Sequence, residues 1–98
     1  MQLNDTIIHG HMKGGFIVIN LEVKTKISPE EAIKRTKAYF GKGGLGLNLV
    51  EDSPGCFNFS GSGGFVNVLI CSEEEKTSIT FKSREWEYQV KEFAATLP

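Results

Sequence analysis

The most constraining feature of the sequence is a series of four short apolar stretches separated by turn signals. The stretches cover residues 45–49, 57–59, 65–71 and 77–81, and the turns between them are Ser53-Pro54-Gly55, Gly61-Ser62-Gly63-Gly64 and Glu73-Glu74-Glu75. Pro-Gly is suited to the centre of a type II turn, and glycine accepts the positive φ angles of tight hairpins. Short alternating strands joined by such turns predict an antiparallel meander.

A strand and a helix precede this meander. Residues 16–27 are apolar at alternate positions over most of their length, which is the period of a strand with one buried face. The following Ser28-Pro29-Glu30-Glu31 combines a capping hydroxyl, a first-turn proline and a capping-box acid. We expect this helix to run to about Phe40 and to end at Gly41.

A second helix is predicted at the end of the chain. Its apolar stripe has helical spacing and consists of Trp86, Val90, Phe93, Ala94 and Leu97. Ser83 stands where we expect the N-cap, with Glu85 in the first turn. Because the strands need an apolar cover, we expect this helix to lie on the sheet. The sequence therefore predicts an α+β domain of order β-α-β-β-β-β-α, whose antiparallel sheet carries both helices on one face.

The composition indicates one small domain without a strong net electrostatic field. The chain has 98 residues, with 11 basic and 12 acidic side chains and a net charge of -1, so a broad electrostatic attraction to nucleic acid is disfavoured. We assign residues 16–98 to the domain and residues 1–15 to a flexible N-terminal segment, in which Gly10-His11-Met12 resembles a cloning remnant. The apolar runs are too short to span a membrane, and we expect a cytoplasmic protein.

The sequence carries no pattern that predicts catalysis, a metal or a cofactor. His9 and His11 are the only histidines, and Cys56 and Cys71 are too few for a four-ligand site. The motif Gly41-Lys42-Gly43-Gly44 follows a helix, whereas phosphate-binding loops precede one. A non-enzymatic protein without cofactor or metal is the favoured interpretation.

Asparagines supply the most informative pattern. Four successive strands contain one each, on the parity opposite to the core-facing residues, so they share the outer sheet face. The candidate binding residues on this face are Asn20, Asn48, Asn58, Phe65, Asn67, Leu69 and Thr80. Two interpretations fit: a solvated face that uses Asn for solubility, or a contact face for a homodimer or a protein partner.

The opposite face offers a second candidate site. A helix on a curved sheet can leave a crevice for an apolar small ligand, lined here by Leu21, Phe57, Phe59, Phe81 and Trp86. The same side chains could instead fill the core of so short a chain.

The predicted order of elements resembles the TATA-binding-protein-like fold and the helix-grip domains of the START and polyketide-cyclase type. The resemblance covers residues 16–98 as topology, and residues 83–93 are similar to the closing helix of many helix-grip proteins. The helix-grip resemblance implies a ligand cavity and a small cyclase-like enzyme. The TATA-binding resemblance implies an outer face that enters the DNA minor groove, for which Asn48, Val50 and Phe65 are comparable residues.

We therefore predict a small binding module that holds a protein partner or an apolar small ligand through the outer face or the crevice. A homodimer is a reasonable assembly. A cyclase-like enzyme and a nucleic-acid-binding sheet face are the alternatives.

Overall fold

The computed structural model describes residues 18–98 and contains the predicted order of elements. The elements are β1 (Val18–Thr25), α1 (Pro29–Phe40), β2 (Asn48–Ser53), β3 (Cys56–Gly61), β4 (Gly64–Glu73), β5 (Lys76–Arg84) and α2 (Glu87–Ala95). The strands form one antiparallel sheet in the order β1-β5-β4-β3-β2. The α+β prediction is thus confirmed, while the predicted N-terminal segment, including both histidines, lies outside the described residues.

The start and end of α1 follow the predicted capping chemistry. The backbone N–H of Glu31 donates to the Ser28 hydroxyl at 3.1 Å, and Pro29 occupies the first turn. At the other end the N–H of Gly41 donates to the carbonyl of Lys37 at 3.0 Å. These bonds satisfy backbone groups that have no partner inside the helix.

Two hairpin turns of the meander contain the glycine residues that the sequence predicts there. Gly55 has a φ of 76°, the value expected at the third position of a type II turn. Ser62 and Gly63 both have positive φ, 51° and 79°, between the paired Gly61 and Gly64. Positive φ at both central residues characterises the type I′ turn, whose twist matches that of antiparallel strands.

The strand predicted over residues 45–49 begins later, at Asn48. The backbone N–H of Leu45 donates to the carbonyl of Tyr39 at 2.8 Å, and that of Leu47 donates to the carbonyl of Phe40 at 2.9 Å. Both carbonyls belong to the last turn of α1 and have no helical partner. The first half of this apolar stretch therefore completes the helix end instead of pairing with β3.

The predicted start of the second helix is wrong. Ser83 lies inside β5, where it pairs with Ile19 on one side and Val66 on the other. Glu85 turns the chain with a φ of 73°, and α2 begins after Trp86 without a side-chain cap. A strand with neighbours on both sides makes backbone bonds to each, and these outweigh the single bond of an N-cap.

Both helices pack on the same face of the sheet. Phe40 of α1 and Phe93 of α2 have ring centroids 5.3 Å apart. Phe81 of β5 lies beneath them, 6.4 Å from the Phe40 ring and 5.9 Å from the Phe93 ring. All three side chains are buried. This shared aromatic cluster joins both helices to the sheet and confirms the predicted one-sided arrangement.

Loss of the Phe93 ring should destabilise the domain strongly. Phe93 is 3% exposed, and truncation of a buried phenylalanine costs about 3–5 kcal/mol through lost contacts and the resulting cavity. We expect a decrease of this size in the free energy of unfolding of Phe93→Ala, measured by urea denaturation. Tyr88→Ala on the same helix removes a ring that is 68% exposed, so it should change stability by only about 0.5 kcal/mol. Similar losses in the two variants would contradict the proposed role of the cluster.

Candidate binding surface on the outer sheet face

The strand register arranges the outer face of the sheet in rows that cross the strands. One row consists of Asn20, Lys82, Asn67, Asn58 and Glu51, in the order β1-β5-β4-β3-β2. Residues that face each other across strands point to the same side of a sheet. Three of the four predicted asparagines are therefore brought into one line.

Hydrogen bonds order part of this row. The amide of Asn67 donates from Nδ2 to Oδ1 of Asn58 at 2.5 Å, and Asn58 donates from Nδ2 to Oε1 of Glu51 at 2.7 Å. Asn20 lies at the far end of the row and is exposed. The asparagine pattern thus corresponds to a chain of side-chain bonds across three neighbouring strands.

A second row contains the predicted aromatic residue. Asn48, Ser60, Phe65 and Arg84 face one another across four strands. The guanidinium carbon of Arg84 lies 6.0 Å from the Phe65 ring centroid, and Nη2 donates to the carbonyl of Gly63 at 3.1 Å. The ring is half-buried. The stacked cation holds the ring in place and leaves part of it accessible.

A third row contains the remaining predicted residues. Thr80, Leu69 and Cys56 face one another, and Leu69 is 43% exposed. Beyond this row the Lys24 ammonium donates to the Glu73 carboxylate at 2.8 Å across the intervening strand. This carboxylate raises the pKa of Lys24 through the hydrogen bond and its charge. The structure therefore places all seven predicted outer-face residues on one surface.

A β-bulge in β2 changes which residues join this surface. The register shifts between Leu49 and Glu51, so Val50 is left unpaired and Glu51 faces Asn58. The next residue, Asp52, turns to the helix side, where it accepts a hydrogen bond from Lys37 at 3.1 Å. The sequence predicts Val50 on the outer face by alternation, and the structure shows it exposed and unpaired. The extra residue reverses the parity of the strand after it, so Glu51 and not Asp52 faces outward.

The outer face has an uncharged centre between charged strands. The outer residues from Cys56 to Ser60 in β3 and from Phe65 to Cys71 in β4 are uncharged, and a charge appears only at the end of β4, at Glu73. We call these uncharged residues the central stripe: Cys56, Asn58, Ser60, Phe65, Asn67, Leu69 and Cys71. On one side β5 contributes Lys76, Lys82 and Arg84, and on the other side β2 contributes Glu51. Parity in β5 could have identified these three cations, but the bulge concealed the position of the acid.

The predicted crevice is occupied by the core. Phe57, Phe59 and Phe81 are buried, and the ring centroids of Phe40 in α1 and Phe59 lie 5.6 Å apart. Leu21 is partly buried against the same cluster. The structure thus brings the predicted crevice residues of the sheet together as packed core side chains.

The remaining predicted crevice residue, Trp86, is hydrogen-bonded to the end of β3. The indole Nε1 of Trp86 donates to the carbonyl of Gly61 at 3.1 Å. Two hydroxyls on the core side, those of Thr36 and Ser83, are buried without a hydrogen-bond partner among residues 18–98.

The described part of the chain contains no group of three or more His, Cys, Asp or Glu side chains that could hold a metal ion. None of its helices is both long and apolar enough to cross a membrane. Cys56 and Cys71, both on the outer face, are free.

Comparisons with known proteins assign no family to this arrangement. The chain matches no protein-family model, no curated protein and no solved structure. The resemblance to TATA-binding-protein-like and helix-grip domains therefore stays a prediction from topology.

The asparagine row should be dispensable for folding. Asn has a low strand propensity and Thr a high one, on a scale that spans about 1 kcal/mol. Because Asn58 and its partners are reached by water, we expect Asn58→Thr to retain or exceed the thermal stability of the original protein. Val68→Thr, at a fully buried position of the neighbouring strand, should lose about 1–3 kcal/mol because its hydroxyl has no partner. A comparable loss in Asn58→Thr would show that the row is structural.

Proposed function

We propose that this domain is a non-enzymatic binding module whose outer sheet face holds a protein partner. The observation that carries the proposal is the central stripe: an uncharged surface on β3 and β4, flanked by charges, on the sheet face that neither helix covers. Depletion of charge at the centre with charge at the rim is the usual anatomy of a protein interface.

The stripe offers both apolar contact and directed hydrogen bonds. Leu69 is 43% exposed and Phe65 keeps part of its ring accessible. Between them Asn67 uses one amide hydrogen for Asn58, which leaves its carbonyl oxygen and second hydrogen for a partner. An ordered amide between two apolar side chains supports recognition of a partner that presents backbone or amide groups.

The charge balance of the face supports a protein over a nucleic acid. Its cations are Lys24, Lys76, Lys82 and Arg84, and its anions are Glu22, Glu51 and Glu73. Lys24 is already paired with Glu73. Nucleic-acid affinity depends mainly on cations that neutralise phosphates, and an excess of a single cation over the anions does not provide the field for it.

The filled core supports the outer face, and not the crevice, as the binding site. An apolar ligand or a cyclase substrate would need space between the sheet and the helices, where the rings of Phe40, Phe59, Phe81 and Phe93 are in contact. Insertion of a ligand there would separate packed aromatic side chains at a cost in stability.

The TATA-binding-protein-like topology belongs to this proposal, since that family also uses the uncovered face of its sheet. A cytoplasmic location belongs to it as well. The two free thiols of Cys56 and Cys71 lie on the proposed contact face, and reduced cysteines suit a reducing compartment.

Site-specific photo-cross-linking in living cells tests the proposal. A photoreactive phenylalanine analogue in place of Leu69 places the reactive group on the stripe at an exposed position. The same analogue in place of Tyr88, which is 68% exposed on α2, serves as the matched control. We expect protein adducts after irradiation with the Leu69 probe and far fewer with the Tyr88 probe.

Mass spectrometry of the adducts distinguishes the alternatives. Attachment to a protein, whether a second copy or another chain, supports the module. Attachment to nucleic acid would favour the TATA-binding-like alternative instead. Equal labelling from the two positions, or none from Leu69, would contradict a binding role for the outer face.

A further inference from the structure

We infer that the partner held by the outer face is a second copy of this chain, docked face to face so that Lys82 of each protomer lies against the partner's Glu51. This inference rests on the proposed function and names its occupant. The observation that carries it is the order of charges across the sheet.

The charges lie symmetrically about the boundary between β3 and β4. In the row that crosses the asparagines, Lys82 on β5 lies two strands from that boundary on one side, and Glu51 on β2 lies two strands from it on the other. A two-fold axis parallel to the strands at this boundary exchanges β4 with β3 and β5 with β2. Each lysine then faces a glutamate, and each Asn67 faces the partner's Asn58.

Other two-fold arrangements of the same face are less favourable. An axis perpendicular to the strands and centred on this row places each Lys82 against the partner's Lys82, and like charges in contact oppose binding. An axis parallel to the strands but over β4 pairs Lys82 with the partner's Asn58 and leaves both charges uncompensated. The sign pattern therefore selects the boundary axis, because a two-fold interface must be complementary to itself.

The Lys82 side chain is available for this role. It is exposed and makes no hydrogen bond or ion pair with any residue in the described range 18–98. Packed sheets lie about 10 Å apart, a gap that an extended lysine and an extended glutamate can span together. Glu51 also keeps a second carboxylate oxygen beyond the one that accepts from Asn58.

The central residues of the remaining rows suit the same axis, while Arg84 at the edge would lie against the partner's Asn48. Leu69 would lie against the partner's Cys56, and Phe65 against the partner's Ser60, so apolar and small side chains meet at the centre. The axis leaves β1 outside the overlap, where its outer residues Glu22 and Lys24 are charged and exposed. Charge at the rim and its absence at the centre agree with this placement.

The overlap predicts a weak, reversible dimer. Four strands at about 4.8 Å spacing and about 20 Å of strand length give about 400 Å² of projected area per protomer, or about 800 Å² for the pair. Stable specific interfaces start at about 1,200 Å² and smaller ones are transient. We therefore expect dissociation constants in the micromolar range, with association weakened by salt.

Charge reversal tests the inference. Sedimentation equilibrium of the full chain between about 1 µM and 1 mM should show a monomer–dimer equilibrium. Lys82→Glu and Glu51→Lys should each weaken dimerisation by about tenfold or more, because each places like charges together twice per dimer. The double variant should restore association to within about threefold of the original value. Lys91→Glu, an equal charge change on α2, should leave association unchanged.

The outcomes separate this inference from the proposed function. Thermal unfolding of each variant confirms that it is folded, and Lys82→Gln gives a milder second test of the same position. A monomer throughout the concentration range, or a double variant as weak as either single one, overturns the second copy as occupant. If the Leu69 probe then labels another protein, the binding module stands with a different partner. If it labels none, both proposals fail.

Discussion

The arrangement of this domain depends on the pairing of β5 with two strands at once. β5 bonds to β1 along one edge and to β4 along the other, and the register with each runs to Arg84. β1 comes first among the described elements, so this pairing joins the beginning of the domain to its meander. Ser83 shows how strong the constraint is, since a residue with good capping chemistry remains in the strand. The loop-closure cost of such distant pairing is offset by backbone bonds on both edges.

That pairing also decides how the two faces differ. With β5 fixed, Phe81 points to the side on which Phe40 and Phe93 close over the sheet. Both helices pack on this face, and no element within residues 18–98 packs on the other face. An uncovered antiparallel face is ordinarily polar and alternates with the buried one. Here it has an uncharged centre instead of interspersed charges, and that departure is what supports a binding role.

Sequence reasoning predicted the elements that depend on local chemistry. The cap at Ser28 and the turns at Gly55 and Gly63 were visible because one residue type fits each backbone requirement. Alternation also placed the asparagines on one face. The start of α2 could not be predicted from Ser83, because strand pairing on both sides overrode a local preference. The bulge at Val50 escaped detection because nothing in the sequence marks an extra residue.

The bulge is also the point at which fold and proposed function meet. With regular alternation Glu51 would face Phe57 on the helix side, and Asp52 would face Cys56 on the outer side. The extra residue instead sends Asp52 to Lys37 of α1 and Glu51 to Asn58 of the outer row. One acid thereby ties the edge strand to the helix, and the other is the residue that we propose to face Lys82 of a second copy. Because a bulge fixes the position of a side chain relative to its sheet, the complementarity of the outer face is set by the backbone of β2.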